Sequence, residues 1–151
     1  ELMEAPNIAG VKDSESNGAK NNAVLAVLSK HPNFRWFEGN DWMSGAHLLM
    51  GAHGMVNGGM NVFPKLYVEL YEAATAGDLA KVRGTQQRLL HALKLIRMDT
   101  PHSSGFGSFI KCAKYALSLR GLIQEHASYP LQPLRPETKK AVERFLADLA
   151  E

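Results

Sequence analysis

The segment Asn7-Ile8-Ala9-Gly10-Val11-Lys12-Asp13-Ser14 decides the fold class, because it holds a short, almost wholly apolar run that ends at one lysine. Such runs are typical of strands buried on both faces of a parallel sheet, since apolar and polar residues alternate only where one face meets water. The segment therefore predicts a buried parallel strand that ends at Lys12.

Lys12 is the first candidate for chemistry. At the carboxyl end of a buried strand, desolvation penalises the ammonium form of a lysine and lowers its pKa, and the free amine can then attack a carbonyl carbon. The alternative is that Lys12 pairs with Asp13 or extends its charge into solvent. Taken alone, the eight residues favour this alternative.

Length and composition predict one ordinary domain with a real core. The chain has 151 residues, 45% of them hydrophobic, and a net charge of +2. Acids and bases are mixed along the chain, which argues against a nucleic-acid-binding face. The single Cys112 excludes an internal disulfide framework and favours a reducing compartment. Because no apolar run approaches about 18 residues, we expect no membrane contact and a soluble, cytoplasmic protein.

The order of predicted elements indicates an α/β fold. Strand candidates near residues 7–12, 34–38 and 54–57 alternate with helices over 19–30 and 42–50. Strands and helices that alternate with short connections are typical of a parallel sheet. Beyond residue 58 the pattern is helical, with predicted helices over residues 64–77, 78–96, 109–123 and 137–149. The simplest prediction is a single unit.

Several other motifs lack the context that their chemistry needs. The glycine-rich segment over residues 51–59 has neither GxGxxG spacing nor a P-loop lysine. His47 and His53 lie too far apart to share one helical turn, so we predict no metal site and no cofactor. Gly105-Phe106-Gly107-Ser108 could hold a phosphate on free amides, but the pattern is more typical of a flexible entry to a helix.

The segments at the predicted strand ends share one resemblance. Asn7–Ser14 resembles the "P-N-I-x-G-x-K-D/E" motif of the dihydrodipicolinate synthase and N-acetylneuraminate lyase family, which are class I pyruvate-type aldolases on a TIM barrel. Further segments resemble family motifs in the right order: Gly39-Asn40-Asp41 ("G-x-D"), Gly51–Val56 ("G-A-x-G-x-I/V"), Asn61–Pro64 ("N-x-x-P"), Gly77-Asp78 ("G-D"), Ile110-Lys111 ("x-K") and, loosely, Leu131–Leu134 ("P-L"). Each match is weak alone, and together they are specific.

The resemblance implies the C-terminal part of a TIM (β/α)8 barrel followed by a helical tail. Residues 1–64 would hold barrel strands six to eight with their helices, and residues 65–151 the final barrel helix and the C-terminal helical region. A complete barrel needs about 250 residues, so the N-terminal half of the barrel is expected to be missing from this chain. The family's proton-relay tyrosine and its carboxylate-binding arginine would lie in that half.

The resemblance also implies a site. Lys12 would be the catalytic residue that forms a Schiff base with pyruvate or a related 2-oxo acid, for carbon–carbon bond formation or cleavage with an aldehyde-type substrate. Gly39, Asp41, Val56 and Asn57 would bind substrate, Asp41 through substrate hydroxyls as in the family's sugar-acid lyases. Asn57 stands where the synthases commonly carry serine, which leaves the substrate open between the dihydrodipicolinate pathway and sugar-acid aldolases. Lys111 would be structural.

The resemblance further implies a homo-oligomer, a dimer or tetramer, that needs the missing half of the barrel as a partner. A second class of function stays open: a non-catalytic binding or regulatory relative, or an inert fragment of such a barrel. Metal-dependent aldolase chemistry is disfavoured by the histidine spacing.

Overall fold

The computed structural model describes residues 2–15 and 17–150, and it confirms an α/β chain. The described residues form three strands and six α-helices: β1 (Gly10–Asp13), α1 (Gly18–Leu28), β2 (Arg35–Glu38), α2 (Ser44–Leu49), β3 (Gly54–Met55), α3 (Pro64–Thr75), α4 (Leu79–Ala92), α5 (Gly105–Leu119) and α6 (Pro136–Ala150). Their order along the chain follows the predicted alternation of strands and helices over the first 64 residues.

The three strands form one parallel sheet in the order β1-β2-β3. Lys12 lies opposite Phe37, and Glu38 lies opposite both Asp13 and Met55. This register aligns the carboxyl ends of all three strands at one edge of the sheet, which is the edge where α/β proteins carry their sites.

The prediction of a strand buried on both faces is wrong for the described chain. A turn closed by the Ile8 amide on the Ala5 carbonyl at 3.2 Å precedes β1, so the strand starts only at Gly10. Val11 is 36% exposed and Lys12 is exposed, because β1 ends the described sheet and pairs only with β2. The desolvation that the apolar run predicts at Lys12 is therefore not present in these residues.

Contacts divide the chain into two compact units. Unit 1 comprises the residues up to Met60 together with Pro64–Leu89, and unit 2 comprises Asn61–Phe63 together with the residues from Leu90 onward. The assignment of residues 1–64 to barrel strands and of residues 65–151 to the final barrel helix and the helical region stays a prediction.

In unit 1, helix α2 packs against β2 and α3. Asn17 caps α1 by accepting the Lys20 amide at 3.1 Å, and Asp78 caps α4 by accepting the Lys81 amide at 2.9 Å. Gly77, with φ +71°, follows α3 as the left-handed residue that glycine adopts freely. The buried apolar side chains of this unit include Leu28, Phe34, Trp36, Leu48, Tyr67, Leu70, Val82 and Leu89.

Unit 2 is helical and holds a second core. Its buried side chains include Val62, Leu93, Leu95, Ile96, Cys112, Ala116, Leu134 and Val142. Helix α5 begins at Gly105, four residues before the predicted start, because the Ser104 hydroxyl accepts the Gly107 amide at 3.1 Å and caps the helix. The glycine pair that the sequence assigns to a loop therefore lies in the first turn of α5.

Candidate functional site

The candidate site lies in unit 1, where the three strands end. The Gly39 amide donates to the Asp13 carbonyl at 2.7 Å, and the Val56 amide donates to the Glu38 carbonyl at 2.8 Å. These bonds continue the ladder past the strands and bring Gly39 beside the end of β1 and Val56 beside the end of β2.

Lys12 and Gly39 are in close contact. A Cβ atom built on Gly39 would lie 2.3 Å from Lys12 Cε and 3.0 Å from Lys12 Nζ, and it would also lie 2.5 Å from Ser14 Oγ. Real Cβ atoms do not approach heavy atoms this closely, so only glycine leaves the space that the lysine side chain occupies. The two residues that the sequence predicts at the first two strand ends are thus brought together.

The carboxylate of Asp13 is paired with a lysine other than Lys12. Lys20 Nζ lies 2.9 Å from Asp13 Oδ2, and the Glu15 amide donates to Asp13 Oδ1 at 2.9 Å. Burial acts to raise the pKa of Asp13, but the bonds from Lys20 and Glu15 outweigh it and hold that pKa below its ordinary value. The alternative of an ion pair between Lys12 and Asp13 is not seen in the described part of the chain.

Asp41 is turned into the protein. Asp41 is only 7% exposed. Its Oδ1 accepts hydrogen bonds from the Tyr67 hydroxyl and, at 3.1 Å, from the Gly59 amide. Burial and the charge of Asp41 raise the pKa of Tyr67, so the phenol stays a neutral donor. Asp41 therefore joins the loop after β2 to the loop after β3 and to α3.

Asn57 and Asp41 belong to one buried cluster around Ser44. Asn57 Nδ2 donates to Ser44 Oγ at 3.0 Å, and Ser44 Oγ lies 3.4 Å from the Asp41 carbonyl oxygen. Asn57 is 5% exposed, and its Oδ1 has no hydrogen-bond partner among the described residues. Val56, by contrast, is 52% exposed.

The described contacts thus place the predicted site residues in two groups. Lys12 and Gly39 lie together on one side, and Asp41 and Asn57 lie together in a buried cluster behind the strand ends. Val56 is exposed at the end of β3. Of these residues, Lys12 and Gly39 are in direct contact.

A second buried cluster, at the end of β2, was not predicted from the sequence. Glu38 is fully buried at the end of that strand, and Glu38 Oε2 lies 3.4 Å from His47 Nδ1 of α2. His47 Nε2 in turn lies 3.0 Å from Asn21 Nδ2 of α1. The only available signal was an acidic residue that ends an aromatic strand.

No group of three or more His, Cys, Asp and Glu side chains in residues 2–15 and 17–150 is arranged to hold a metal ion. In the same residues, none of the helices has both the length and the apolar character needed to cross a bilayer.

These features define a class of protein: an α/β protein whose candidate lysine lies at the carboxyl ends of parallel strands. The chain belongs to the dihydrodipicolinate synthetase family, whose model matches residues 1–149. The resemblance drawn from the sequence motifs is thereby confirmed.

Known relatives agree with this membership. The chain is 35% identical over 144 residues to 4-hydroxy-tetrahydrodipicolinate synthase of Nitrobacter hamburgensis, an alignment that covers 93% of this chain and 44% of that protein. It is 32% identical over 148 residues to an uncharacterized DapA-like lyase of Halobacterium salinarum, with 98% and 45% covered. The chain thus spans about half the length of the curated relatives that it matches.

Solved structures of the family have the same fold over the aligned residues. Dihydrodipicolinate synthase from Bacteroides thetaiotaomicron superposes with a TM-score of 0.88 at 32% identity, over 96% of this chain and 48% of that one. YagE, a prophage protein of the dihydrodipicolinic acid synthase family from E. coli K12 solved in complex with pyruvate, has a TM-score of 0.78 at 30% identity, over 95% and 47%. These similar structures are TIM-barrel proteins.

Proposed function

We propose that this chain carries the Schiff-base lysine of a carbon–carbon lyase or aldolase that acts on pyruvate or a related 2-oxo acid. The observation that supports this most directly is the contact of Lys12 with Gly39 at the carboxyl ends of parallel strands, in a member of the dihydrodipicolinate synthetase family. The matched relatives named as 4-hydroxy-tetrahydrodipicolinate synthases and the pyruvate complex of YagE favour this substrate class.

The proposed function needs a complete barrel. We infer that β1, β2 and β3 correspond to barrel strands six to eight, that residues 65–151 supply the last barrel helix and the helical tail, and that a further segment supplies the other strands. Val11 and Lys12 are exposed on β1, as expected for an edge strand that lacks a second neighbouring strand. The same segment would desolvate Lys12 and supply the proton relay.

The chemistry proposed for Lys12 is the formation of an imine. The lone pair of Lys12 Nζ adds to the ketone carbon, the carbonyl oxygen leaves as water, and the nitrogen becomes a protonated imine. Loss of a proton from the adjacent carbon gives an enamine, whose carbon attacks an aldehyde, and the reverse sequence cleaves the bond. Hydrolysis then frees the lysine. No metal or organic cofactor is required for these steps.

The other predicted residues have distinct proposed roles. Gly39 leaves room for the lysine. We propose that Val56, which is exposed, offers its carbonyl to the substrate beside the imine. Asp41 and Asn57 are proposed as substrate-binding residues, and their burial with Ser44 indicates that they also hold the loops after β2 and β3. The assembled enzyme is proposed to be a cytoplasmic homo-oligomer, a dimer or tetramer.

Reductive trapping tests the proposal. The protein with its barrel complete is incubated with pyruvate and borohydride, and its intact mass is measured. We expect one added pyruvate-derived group for the wild type and none for Lys12→Ala. Absence of any adduct on the wild-type protein would contradict the proposal.

The second candidate is a non-catalytic binding relative. This candidate is favoured because Asp41 Oδ1 already accepts hydrogen bonds from the Tyr67 hydroxyl and the Gly59 amide, so that oxygen has its partners within the protein. A rise in melting temperature with a 2-oxo acid, without any adduct after reduction, would support this candidate over the enzyme.

A further inference from the structure

Glu38 is a buried acid directly behind the loop that carries Gly39. Its side chain is 0% exposed, and Oε2 accepts the Asn40 amide at 2.9 Å. The other oxygen, Oε1, is buried without a hydrogen-bond partner among the described residues. A fully buried carboxylate is unfavourable unless its charge is compensated. Stability alone therefore gives no reason for an acid at this position.

His47 and Asn21 hold Glu38 in place. Asn21 Nδ2 lies 3.0 Å from His47 Nε2, and His47 Nδ1 lies 3.4 Å from Glu38 Oε2. His47 is further packed against the Trp36 ring, with 5.4 Å between the ring centroids. The three polar residues come from α1, β2 and α2, so they tie the end of β2 to both covering helices.

The hydrogen bond from the Asn40 amide to Glu38 is linked to Lys12 through the backbone of Gly39, against which the lysine side chain lies. The Gly39 amide is held by the Asp13 carbonyl at 2.7 Å, and the next amide, that of Asn40, is held by Glu38. The Glu38–Gly39 peptide is therefore fixed through the Gly39 amide, and the Gly39–Asn40 peptide is fixed through the Asn40 amide. Lys12 Cε lies where a Cβ atom of Gly39 would be, so the position of this peptide sets the surface on which the lysine rests.

We propose that Glu38 is a positioning residue for Lys12: held by His47 and Asn21, it fixes the Gly39–Asn40 peptide and thereby the orientation of the reacting amine. This inference rests on the proposed function of Lys12. It assigns the buried Glu38–His47–Asn21 cluster a role in the rate of imine formation rather than in folding.

Two variants of Glu38 separate positioning from stability. Glu38→Val removes the acceptor of the Asn40 amide and keeps an apolar side chain in the buried space, whereas Glu38→Gln removes the charge and keeps an amide oxygen as acceptor. The completed protein is assayed for the rate of pyruvate trapping on Lys12 and for hydrogen exchange at the Asn40 amide. Leu89→Ala, a buried truncation in α4, is the control for lost stability.

We expect Glu38→Val to slow trapping and to speed Asn40 exchange, each by at least about tenfold, because small misplacements of a reacting group have large effects on rate. Glu38→Gln should stay within about threefold of the wild type in both measurements. Leu89→Ala should lower the melting temperature and leave both rates unchanged.

Two results would overturn this inference and leave the proposed function standing. The first is that Glu38→Val traps pyruvate at the wild-type rate. The second is that the loss of trapping follows the loss in melting temperature across Glu38→Val and Leu89→Ala. If the wild-type protein forms no adduct, the proposed function fails, and the positioning role fails with it. The wild-type measurement thus separates the two failures.

Discussion

Gly39 is the residue on which the placement of Lys12 depends. An added methyl group would lie 2.3 Å from Lys12 Cε and 2.5 Å from Ser14 Oγ, and both atoms belong to side chains that can move away. A larger residue at position 39 is therefore expected to displace the lysine rather than to unfold the protein.

Gly39→Ala should reduce imine formation far more than stability. We expect trapping of pyruvate on Lys12 to fall by about tenfold or more, with a change in unfolding free energy of less than about 1 kcal/mol. Gly84→Ala is the matched control, because nothing lies within 4 Å of a Cβ atom at that helical position. A Gly39→Ala variant that traps pyruvate at the wild-type rate would show that the contact is irrelevant.

Tyr67→Phe should destabilise unit 1. The variant removes the hydroxyl that donates to the buried Asp41, and hydrogen bonds to charged groups contribute about 1.5–3 kcal/mol. Urea unfolding measures the loss. Tyr71→Phe, on the same helix but at a residue 42% exposed, is the control and should change stability little. Equal effects of the two variants would contradict the role given to the bond between Tyr67 and Asp41.

The neutrality of the Tyr67 phenol can be measured directly. Because burial and Asp41 raise the pKa of Tyr67, its absorbance should not change as the pH is raised past about 10, the ordinary pKa of a tyrosine. An alkaline titration of the wild type and Tyr67→Phe should therefore give the same tyrosinate signal up to the pH of unfolding. A smaller signal for Tyr67→Phe below that pH would be the contrary result.

At the scale of elements, the order of the strands and helices could be predicted from local sequence patterns. The exposure of β1 could not. Helix α3 starts at Pro64 and a left-handed Gly77 follows it, as proline and glycine predict. An apolar run, however, indicates only that a strand can pack against apolar neighbours, and it does not show whether those neighbours are present. Val11 is exposed because the described residues offer β1 one neighbour, which no pattern within the run could indicate.

The pairing of β1 with β2 requires glycine at position 10. A Cβ atom there would lie 2.4 Å from the Arg35 carbonyl oxygen, which is a backbone atom of the paired strand and cannot move aside alone. We expect Gly10→Ala to lower the unfolding free energy by about 1–3 kcal/mol. Chemical denaturation would check this against Gly18→Ala, whose position has open space; the same midpoint for both variants would contradict the close approach.

At the scale of the whole molecule, acid stability should depend on a buried ion pair in unit 2. Lys111 Nζ contacts Asp99 Oδ2, and their side chains are 7% and 1% exposed. Burial acts to raise the pKa of Asp99, but the bond from Lys111 and those from Ser103 and Thr138 outweigh it and hold the pKa below its ordinary value of 3.8. The pair thus stabilises the fold above that value, and its contribution is lost as pH falls through the lower, folded-state pKa.

Asp99→Asn should therefore be less stable than the wild type at neutral pH, by about 3–5 kcal/mol, because Lys111 is left buried without a counter-charge. The difference should be smaller at a pH below 3.8 that is low enough to protonate Asp99 in the folded state. Urea unfolding at both pH values measures it, with the exposed Asp148→Asn as the control. A difference that is the same at both pH values would contradict a role for the Asp99 charge.

Residues of the candidate site could be predicted only where a short local segment of sequence singles them out. Lys12 and Gly39 were proposed because the short segments that hold them resemble family motifs, and parallel strands end at the same edge. Tyr67 and Ser44 were missed as partners of Asp41 and Asn57, because their contacts join residues 13 to 26 positions apart. The Glu38–His47–Asn21 cluster was missed for the same reason, and because a buried acid is rare enough that an exposed position is the default expectation.

The most direct measurement locates the pyruvate adduct on the chain. The completed protein is reduced with borohydride in the presence of pyruvate, digested and mapped by tandem mass spectrometry, with Lys20 and Lys30 as lysines that should not react. We predict a single modified site at Lys12, lost in Lys12→Ala and slowed in Gly39→Ala. An adduct spread over several lysines, or unchanged in Lys12→Ala, would show that Lys12 is not the Schiff-base residue.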